Sequence, residues 1–302
     1  MRVSQSMISN NMLSNISRSY GNLNKYMNQF SSGKKITRPS DDPFIAMKGM
    51  GYRSQLSNIE QYERNLSEAH NWLDNTDAAL DETNNILHRL NDLAIQASNG
   101  TYDGDDRGNI AKEVDQLINQ LLDVANTRVN DKYIFNGTDT SGEFDEDGNR
   151  VLPFLRNEDG TFVVSENENE FVLDLGTKVQ VNLNPTEVFS EELFYDLQDF
   201  LTALEDETIA DEDLSGFIDI MQGHNDQALK ARANIGARMN RVDLIENRLA
   251  NQVISAKSMM SDNEDVDAEE VIMNLTMQEV IHRATLSAGA RVLQPSLLDF
   301  LR

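Results

Sequence analysis

The chain has 302 residues, enough for two or three domains, and its apolar content of 39 % includes few aromatic residues. This composition is typical of long helical rods and low in core-building aromatics for a compact globule. There is no cysteine, so folding does not depend on disulfides. The net charge of −25 is concentrated in residues 139–213, whereas residues 1–50 are net basic. No basic stripe with interleaved aromatic residues occurs, which argues against nucleic-acid binding.

The first residues give no sign of a targeting segment. Residues 1–7 contain one basic residue and no long apolar run, so we expect no cleaved signal peptide. No segment approaches 18 consecutive apolar residues, so the sequence predicts no membrane span and no membrane partner. If the protein leaves the cell, it uses a route that does not read such a signal.

The first predicted element is an amphipathic helix. Its apolar residues recur at alternating intervals of three and four, which is the period of a coiled-coil seam. Gly33 is expected to end this helix, and Pro39 and Pro43 keep the following segment extended. The seam, which we predict to be an assembly interface, consists of Leu13, Ile16, Tyr20, Leu23, Met27 and Phe30.

A proline-free stretch between Pro43 and Pro153 carries the strongest periodic signal. Two sets of residues occupy the a and d positions of six heptads, which predicts a coiled-coil arm. Asn99-Gly100 is expected to end this helix, and a second helix beginning near Asp106 to fold back on it. The first set is Ile59, Leu66, Leu73, Leu80, Leu87 and Ala94, and the second is Tyr62, Ala69, Thr76, Thr83, Leu90 and Ala97.

An acidic, turn-rich segment follows, in which short runs of β-type composition alternate with turn sequences. We expect a small β-rich insert over 138–190, projecting outward from assembled copies because such acidic modules would repel one another. A short helix from Glu191 leads to a return arm over about 214–261, which can pair with the first arm as an antiparallel partner.

The last predicted helix starts near Asp267 and carries a looser apolar stripe with several small residues. A C-terminal apolar cluster follows Pro295, and two interpretations remain open for it. It forms either a buried cap within one subunit or a polymer contact or chaperone-bound tail. The assembly residues predicted here are Ile281, Ala284, Ala288 and Val292 on the helix, and Leu297, Leu298, Phe300 and Leu301 in the tail.

Together these elements predict a mainly α fold. We expect an elongated antiparallel coiled-coil or helical-bundle rod made from both termini, with a small β-rich inserted domain. Three regions follow: a terminal assembly domain of 1–43 plus 265–302, a helical rod domain of 44–137 plus 191–264, and the acidic outer insert of 138–190.

Two strings resemble a known family. Residues 93–101 read Leu-Ala-Ile-Gln-Ala-Ser-Asn-Gly-Thr, and residues 232–241 read Arg-Ala-Asn-Ile-Gly-Ala-Arg-Met-Asn-Arg. Both are similar to the flagellin family, and the resemblance covers about 1–140 and 215–302. The Pro39-Ser40-Asp41-Asp42-Pro43 loop, the segment 132–138 and the modest insert resemble the hook–filament junction branch of that family.

The resemblance implies a structural component of the bacterial flagellum, outside the cell. It implies a junction adaptor between hook and filament on which flagellin polymerises, with a filament-forming flagellin as the alternative. The implied partners are a ring of copies, another hook-associated protein on the hook side, flagellin on the filament side and a cytoplasmic export chaperone. The implied route is the flagellar type III apparatus. A helical protein of a type III injection system would not explain the two strings.

Sequence motifs for catalysis and cofactors are missing. No GxSxG, P-loop or glycine-rich dinucleotide motif occurs. The four histidines have no metal-ligand spacing, and we expect no second ligand to cluster near them. A calcium loop placed on Asp145–Asn149 would put Phe154 where the bidentate glutamate belongs. We therefore expect no enzyme, no cofactor and no metal site.

Overall fold

The computed structural model describes residues 5–99, 104–142, 150–157, 160–167, 169–206 and 211–292. Helices dominate this part of the chain, and the strands are few and short, which confirms the predicted mainly α fold class with a small strand-containing segment. None of these helices is both long and apolar enough to cross a bilayer. The helices are α1 (Gln5–Ser32), α2 (Pro43–Ser98), α3 (Gly104–Ala125), α4 (Glu191–Glu205), α5 (Asp211–Glu264) and α6 (Ala268–Val292).

The chain separates into two compact units. The first combines Met1–Asn58 with Asn251–Arg302, and the second is Ile59–Ala250. The long helices α2 and α5 each contribute residues to both units. The strands lie in the second unit, so the segment predicted as an insert shares that unit with helices on either side in sequence.

The core of the second unit is built on the predicted heptads of α2. All the predicted a and d residues are buried there except Tyr62, which is half-buried. Two of them are threonines, and the hydroxyls of Thr76 and Thr83 donate to the carbonyls of Trp72 and Ala79 one turn earlier. Hydrogen bonds therefore compensate for the burial of these hydroxyls. The predicted heptad repeat, with its a and d positions facing inward, is confirmed for this arm.

Polar contacts show that α5 runs antiparallel to α2. Asn91 of α2 donates to the carbonyl of Ile218, near the start of α5. Earlier in α2, Asp77 and Asp81 both accept from Arg232, further along α5. Later residues of α5 therefore contact earlier residues of α2, and α5 is the antiparallel return arm that the sequence predicts.

Three antiparallel hairpins lie between α3 and α4. Asn130 and Asp131 connect the first with φ angles of 51° and 67°, which fits a type I′ turn, and Gly176 turns the third at φ 75°. The sequence did not signal the first turn, because it lacks the usual Asn-Gly pair. The strands are β1 (Arg128–Val129) with β2 (Lys132–Tyr133), β3 (Leu155–Arg156) with β4 (Phe162–Val163), and β5 (Val172–Asp174) with β6 (Lys178–Gln180).

A cluster of phenylalanines packs the second hairpin, β3–β4, against α4, which in turn packs against α3. Phe189 makes edge contacts with Phe135 and Phe154, and Phe162 stacks on Phe194 of α4 with ring centroids 5.2 Å apart. On α3, Ile118 is fully buried and Leu117 is half-buried.

Candidate assembly interface

In the first unit, α1 packs along α6, so the two ends of the described chain pair with each other. The close approach is made at Gly289, where an added Cβ would lie 3.1 Å from the Met12 side chain and 3.6 Å from that of Ile16. Further along, the rings of Tyr20 and His282 lie 6.1 Å apart. Small residues near the end of α6 therefore admit the larger side chains of α1.

The seam between these two helices is polar at its centre. Ser19 is buried on α1, and Gln278 and His282 are half-buried on α6. The Ser19 hydroxyl, Gln278 Oε1 and His282 Nδ1 are shielded from solvent and make no hydrogen bond within the described part of the chain. Each such buried polar atom costs about 1–3 kcal/mol. The α1–α6 pair is therefore held less firmly than an apolar coiled coil of the same length.

The predicted α1 seam is split between two faces. Ile16 and Leu23 are half-buried, on the side that meets α6. The other four predicted residues are exposed by 52–58 % of their surface, and three of them recur every seven residues. These largely exposed residues are Leu13, Tyr20, Met27 and Phe30, of which Tyr20 also contacts His282 of α6 with one side of its ring. Within the single chain the six residues lie on two faces, because a 3–4 pattern spreads over a wide arc and α6 covers only part of it; their role as an assembly interface stays a prediction.

On α6, the predicted residues face away from α1. Ile281, Ala284 and Ala288 are exposed, as are Met273 and Met277 of the same stripe. The side chain of Val292 and the predicted tail residues Leu297, Leu298, Phe300 and Leu301 lie outside the described residues.

A third apolar row, which the sequence reasoning missed, begins α2. Phe44, Met47 and Met50 lie one helical turn apart and are each more than half exposed. Their three-residue spacing after Pro43 was a readable signal. Together with the outer faces of α1 and α6, the first unit thus exposes three rows of large apolar side chains, more than an isolated soluble unit normally shows.

The loop after α1 is organised by two adjacent aspartates. The Asp41 carboxylate accepts hydrogen bonds from the backbone amides of Arg38 and Thr37, at 2.9 and 3.2 Å, and these bonds lower its pKa below the ordinary value. Asp42 accepts from the amides of Phe44 and Ile45, so it caps α2 with Pro43 at the first helical position. The Pro-Ser-Asp-Asp-Pro motif therefore forms a hydrogen-bonded turn followed by the N-terminal cap of α2.

A polar clasp joins this loop to the α5–α6 connection. Lys34 and Asp265 form an isolated antiparallel bridge, with Lys35 N donating to Glu264 O at 2.6 Å and Val266 N to Gly33 O at 3.1 Å. The Glu264 carboxylate, only 4 % exposed, accepts from Arg53 at 2.7 Å and lies 3.4 Å from Lys34 Nζ. We call this set of contacts the clasp.

The clasp shifts the pKa values of its exposed pair. A hydrogen bond from Lys34, 2.7 Å long, lowers the pKa of Asp265, and a bond from Ser261 adds to this effect. The same contact with Asp265 raises the pKa of Lys34, and Glu264 contributes less. Both groups are therefore held in their charged forms.

Histidines lie beside carboxylates in the second unit, contrary to the expectation from sequence. His224 contacts Asp196 at 2.7 Å, and His70 lies near Asp243 and Glu246 of α5. The expectation that no second ligand lies near a histidine is wrong at these two places. Their partners are distant in sequence and meet only through the pairing of helices.

The fold defines a class: a mainly helical protein whose first and last described helices, α1 and α6, pair with each other. Comparison with known families identifies it further. Residues 3–140 match the bacterial flagellin N-terminal helical region, and residues 218–301 match the bacterial flagellin C-terminal helical region. The chain therefore belongs to the flagellin family and is a structural protein of the bacterial flagellum.

Individual relatives resemble the chain over most of its length. Flagellar hook-associated protein 3 of Escherichia coli K12 is 25 % identical over 95 % of this chain and 96 % of the relative. The flagellar filament 31.3 kDa core protein of Treponema maltophilum is also 25 % identical, over 92 % of each chain. The crystal structure of flagellar hook-associated protein 3 from Legionella pneumophila matches with a TM-score of 0.63 and 15 % identity, covering 70 % of this chain and 97 % of that one.

Proposed function

We propose that this chain is the junction adaptor between hook and filament, a structural component and not an enzyme, on which flagellin polymerises. The observation that carries this proposal is the match to a hook-associated protein over 95 % of the chain, which includes the terminal helices and the strand-containing segment. A junction protein needs surfaces that bind unlike neighbours at its two sides. The three exposed apolar rows of the first unit supply surface for such contacts.

In this proposal, copies of the chain form a ring through the terminal helices. The outer row of α1 and the outer stripe of α6 would pack against neighbouring copies, and the apolar tail of 297–301 would add to the same contacts. Another hook-associated protein would bind on the hook side and flagellin on the filament side. These partners are inferred from the family and from the exposed apolar faces.

Export through the flagellar type III apparatus completes the proposal. Before export, a cytoplasmic chaperone would cover the apolar terminal surfaces, which would otherwise associate prematurely. The acidic segment, with its net negative charge, would lie on the outer surface of the assembly, where like charges in a ring are screened by solvent.

A filament-forming flagellin is the second candidate. It is favoured by the match to a Treponema filament core protein at the same identity and nearly the same coverage. Gene deletion separates the two candidates. Bare hooks in electron micrographs, with a separate flagellin lost to the medium, support the junction adaptor. Bare hooks with no other flagellin would make this chain the filament subunit, and normal filaments would contradict both roles.

The assembly surface itself is tested by replacing two outward residues of α1 with serine, in the double variant L13S/M27S. Both side chains are more than half exposed, so we expect an unchanged circular-dichroism spectrum of the monomer and loss of assembly. The control is N15S, a polar change at an exposed position of the same helix. Normal assembly of the double variant would show that this row is not an interface.

The tail is tested separately by deleting residues 297–302. We expect a helical monomer that remains soluble and fails to assemble. Assembly at the wild-type rate would assign the apolar tail to a role within one subunit, or to none in polymer contacts.

A further inference from the structure

Helices α2 and α5 bring three metal-ligating side chains together in the second unit. His70 Nε2 lies 3.4 Å from Glu246 Oε2 and 3.9 Å from Asp243 Oδ1. Asp243 and Glu246 are three residues apart on α5, so both carboxylates share the face that meets α2. One ligand atom from each residue lies within 4.8 Å of the others. His70 and Glu246 line a solvent-open depression with Glu63 and Ser67.

The spacing is wrong for an ordinary hydrogen bond and suitable for a shared cation. His70 Nε2 is shielded from solvent and makes no hydrogen bond within the described part of the chain. A tetrahedral ion with bonds of about 2.0–2.1 Å places its ligands about 3.3–3.4 Å apart. The imidazole–glutamate separation equals that value, and the exposed aspartate needs only a small side-chain adjustment to reach it.

The second histidine–carboxylate pair shows what a simple pair looks like in this protein. His224 Nε2 and Asp196 Oδ2 lie 2.7 Å apart, at normal hydrogen-bond length, with a single carboxylate at the ring. His70 instead faces two carboxylates and bonds to neither. Two carboxylates one turn apart repel each other, and a divalent cation would relieve that repulsion.

We propose that His70, Asp243 and Glu246 form a binding site for a divalent transition-metal ion of the zinc class. One imidazole nitrogen and two carboxylate oxygens are ligands that zinc accepts, and water reaching the open depression would complete the coordination. The bound ion would link α2 to α5 and so stabilise the paired arms of the second unit. Because both carboxylates are largely exposed, binding would be weaker than at a closed structural zinc site.

The test uses the full-length chain without added histidines and Zn²⁺ alone, in competition with a chromophoric chelator. We expect one zinc per chain, and at least tenfold weaker binding by H70Q and by E246Q. The control is H88Q, which removes an exposed histidine from the same helix and should bind zinc as the wild type does. Circular dichroism of each variant checks that the helices are retained.

A second measurement separates a built site from zinc held loosely by the acidic surface. Zn²⁺ should raise the unfolding temperature of the wild type and of H88Q, and leave that of H70Q unchanged. Co²⁺ should give a visible absorption band with the wild type that H70Q lacks. Equal zinc binding by H70Q and wild type would overturn the proposal, and so would the absence of saturable binding by the wild type below millimolar zinc.

Discussion

A single methyl group at position 49 should open the clasp. Gly49 is buried on α2, and a Cβ built there lies 2.3 Å from Glu264 Oε1 and 3.2 Å from its Cδ. No carboxylate tolerates that approach, so G49A must displace Glu264. The displaced carboxylate loses its bond from Arg53 and its ion pair with Lys34.

The size of the effect follows from the burial of the partners. Removing one member of a fully buried ion pair costs about 3–5 kcal/mol. The side chains of Arg53 and Lys34 stay partly in water, so we discount the loss to about 2–3 kcal/mol. Replacing glycine by alanine within a helix stabilises the helix by about 1 kcal/mol, which offsets part of this loss. The net destabilisation of the clasp by G49A should therefore be about 1–2 kcal/mol.

Gly51 provides a matched control two residues further along the same helix. It is exposed, and a Cβ there meets nothing within 4 Å. G51A should therefore stabilise the helix by about 0.5–1 kcal/mol, so that the two glycine variants change stability in opposite directions.

Amide hydrogen exchange measures the clasp directly, because the amides of Lys35 and Val266 donate across it. In G49A these two amides should exchange about 5–30 times faster than in the wild type, and in G51A no faster. If G49A left both rates unchanged, Glu264 would not be held where the clasp requires it, and the reasoning from its burial would fail.

Three further outcomes can be checked by unfolding followed with circular dichroism. The pKa of Asp265 is lowered from 3.8 and that of Lys34 raised from 10.5, so the clasp contributes fully between these values. Its contribution should be lost as pH falls through the folded-state pKa of Asp265 or rises through that of Lys34, and D265N should remove the acid-side loss. L80A, in the fully buried heptad core, should cost about 2–5 kcal/mol in urea unfolding, whereas L244A, 71 % exposed, should change stability by less than about 0.5 kcal/mol. R232K should cost about 0.5–1 kcal/mol, because lysine cannot pair with two aspartates of α2 as a guanidinium does; equal stability would show that this double contact is not formed in solution.

The arms were predictable because their signal is local and repeated. Six heptads place Leu73, Leu80 and Leu87 on one line of α2, and any partner that covers this line buries them all. The end of α5 and the start of α6 were close to prediction, because the apolar periodicity of the return arm stops near Ser261. In these elements a single physical cause, burial of one helical face, determines both the pattern and the structure.

The first unit was less predictable, because the period of an apolar repeat does not specify which helix will pack against it. Leu13 and Ile16 belong to the same 3–4 pattern, yet α6 covers Ile16 and leaves Leu13 exposed. The clasp could not be predicted from the sequence for another reason. Glu264 is far in sequence from Arg53 and Gly49, and the three residues meet only when the fold brings α2 to the α5–α6 connection. The same limit hid His70 and its two carboxylates.

The two units distribute polarity in opposite ways, and this contrast bears on assembly. In the second unit, most leucines and phenylalanines are buried, although a few such as Leu244 are exposed. In the first, Ser19, Gln278 and His282 lie in the α1–α6 seam while four large apolar side chains of α1 face outward. Fully burying one such side chain contributes about 1.5–3 kcal/mol, so covering the exposed half of four gives about 3–6 kcal/mol for each copy. The described part of the chain does not cover these side chains, and in the proposed assembly neighbouring copies would supply that gain. Terminal helices that bind weakly to each other and present apolar rows outward are therefore better suited to contacts between subunits than to stabilising a solitary chain.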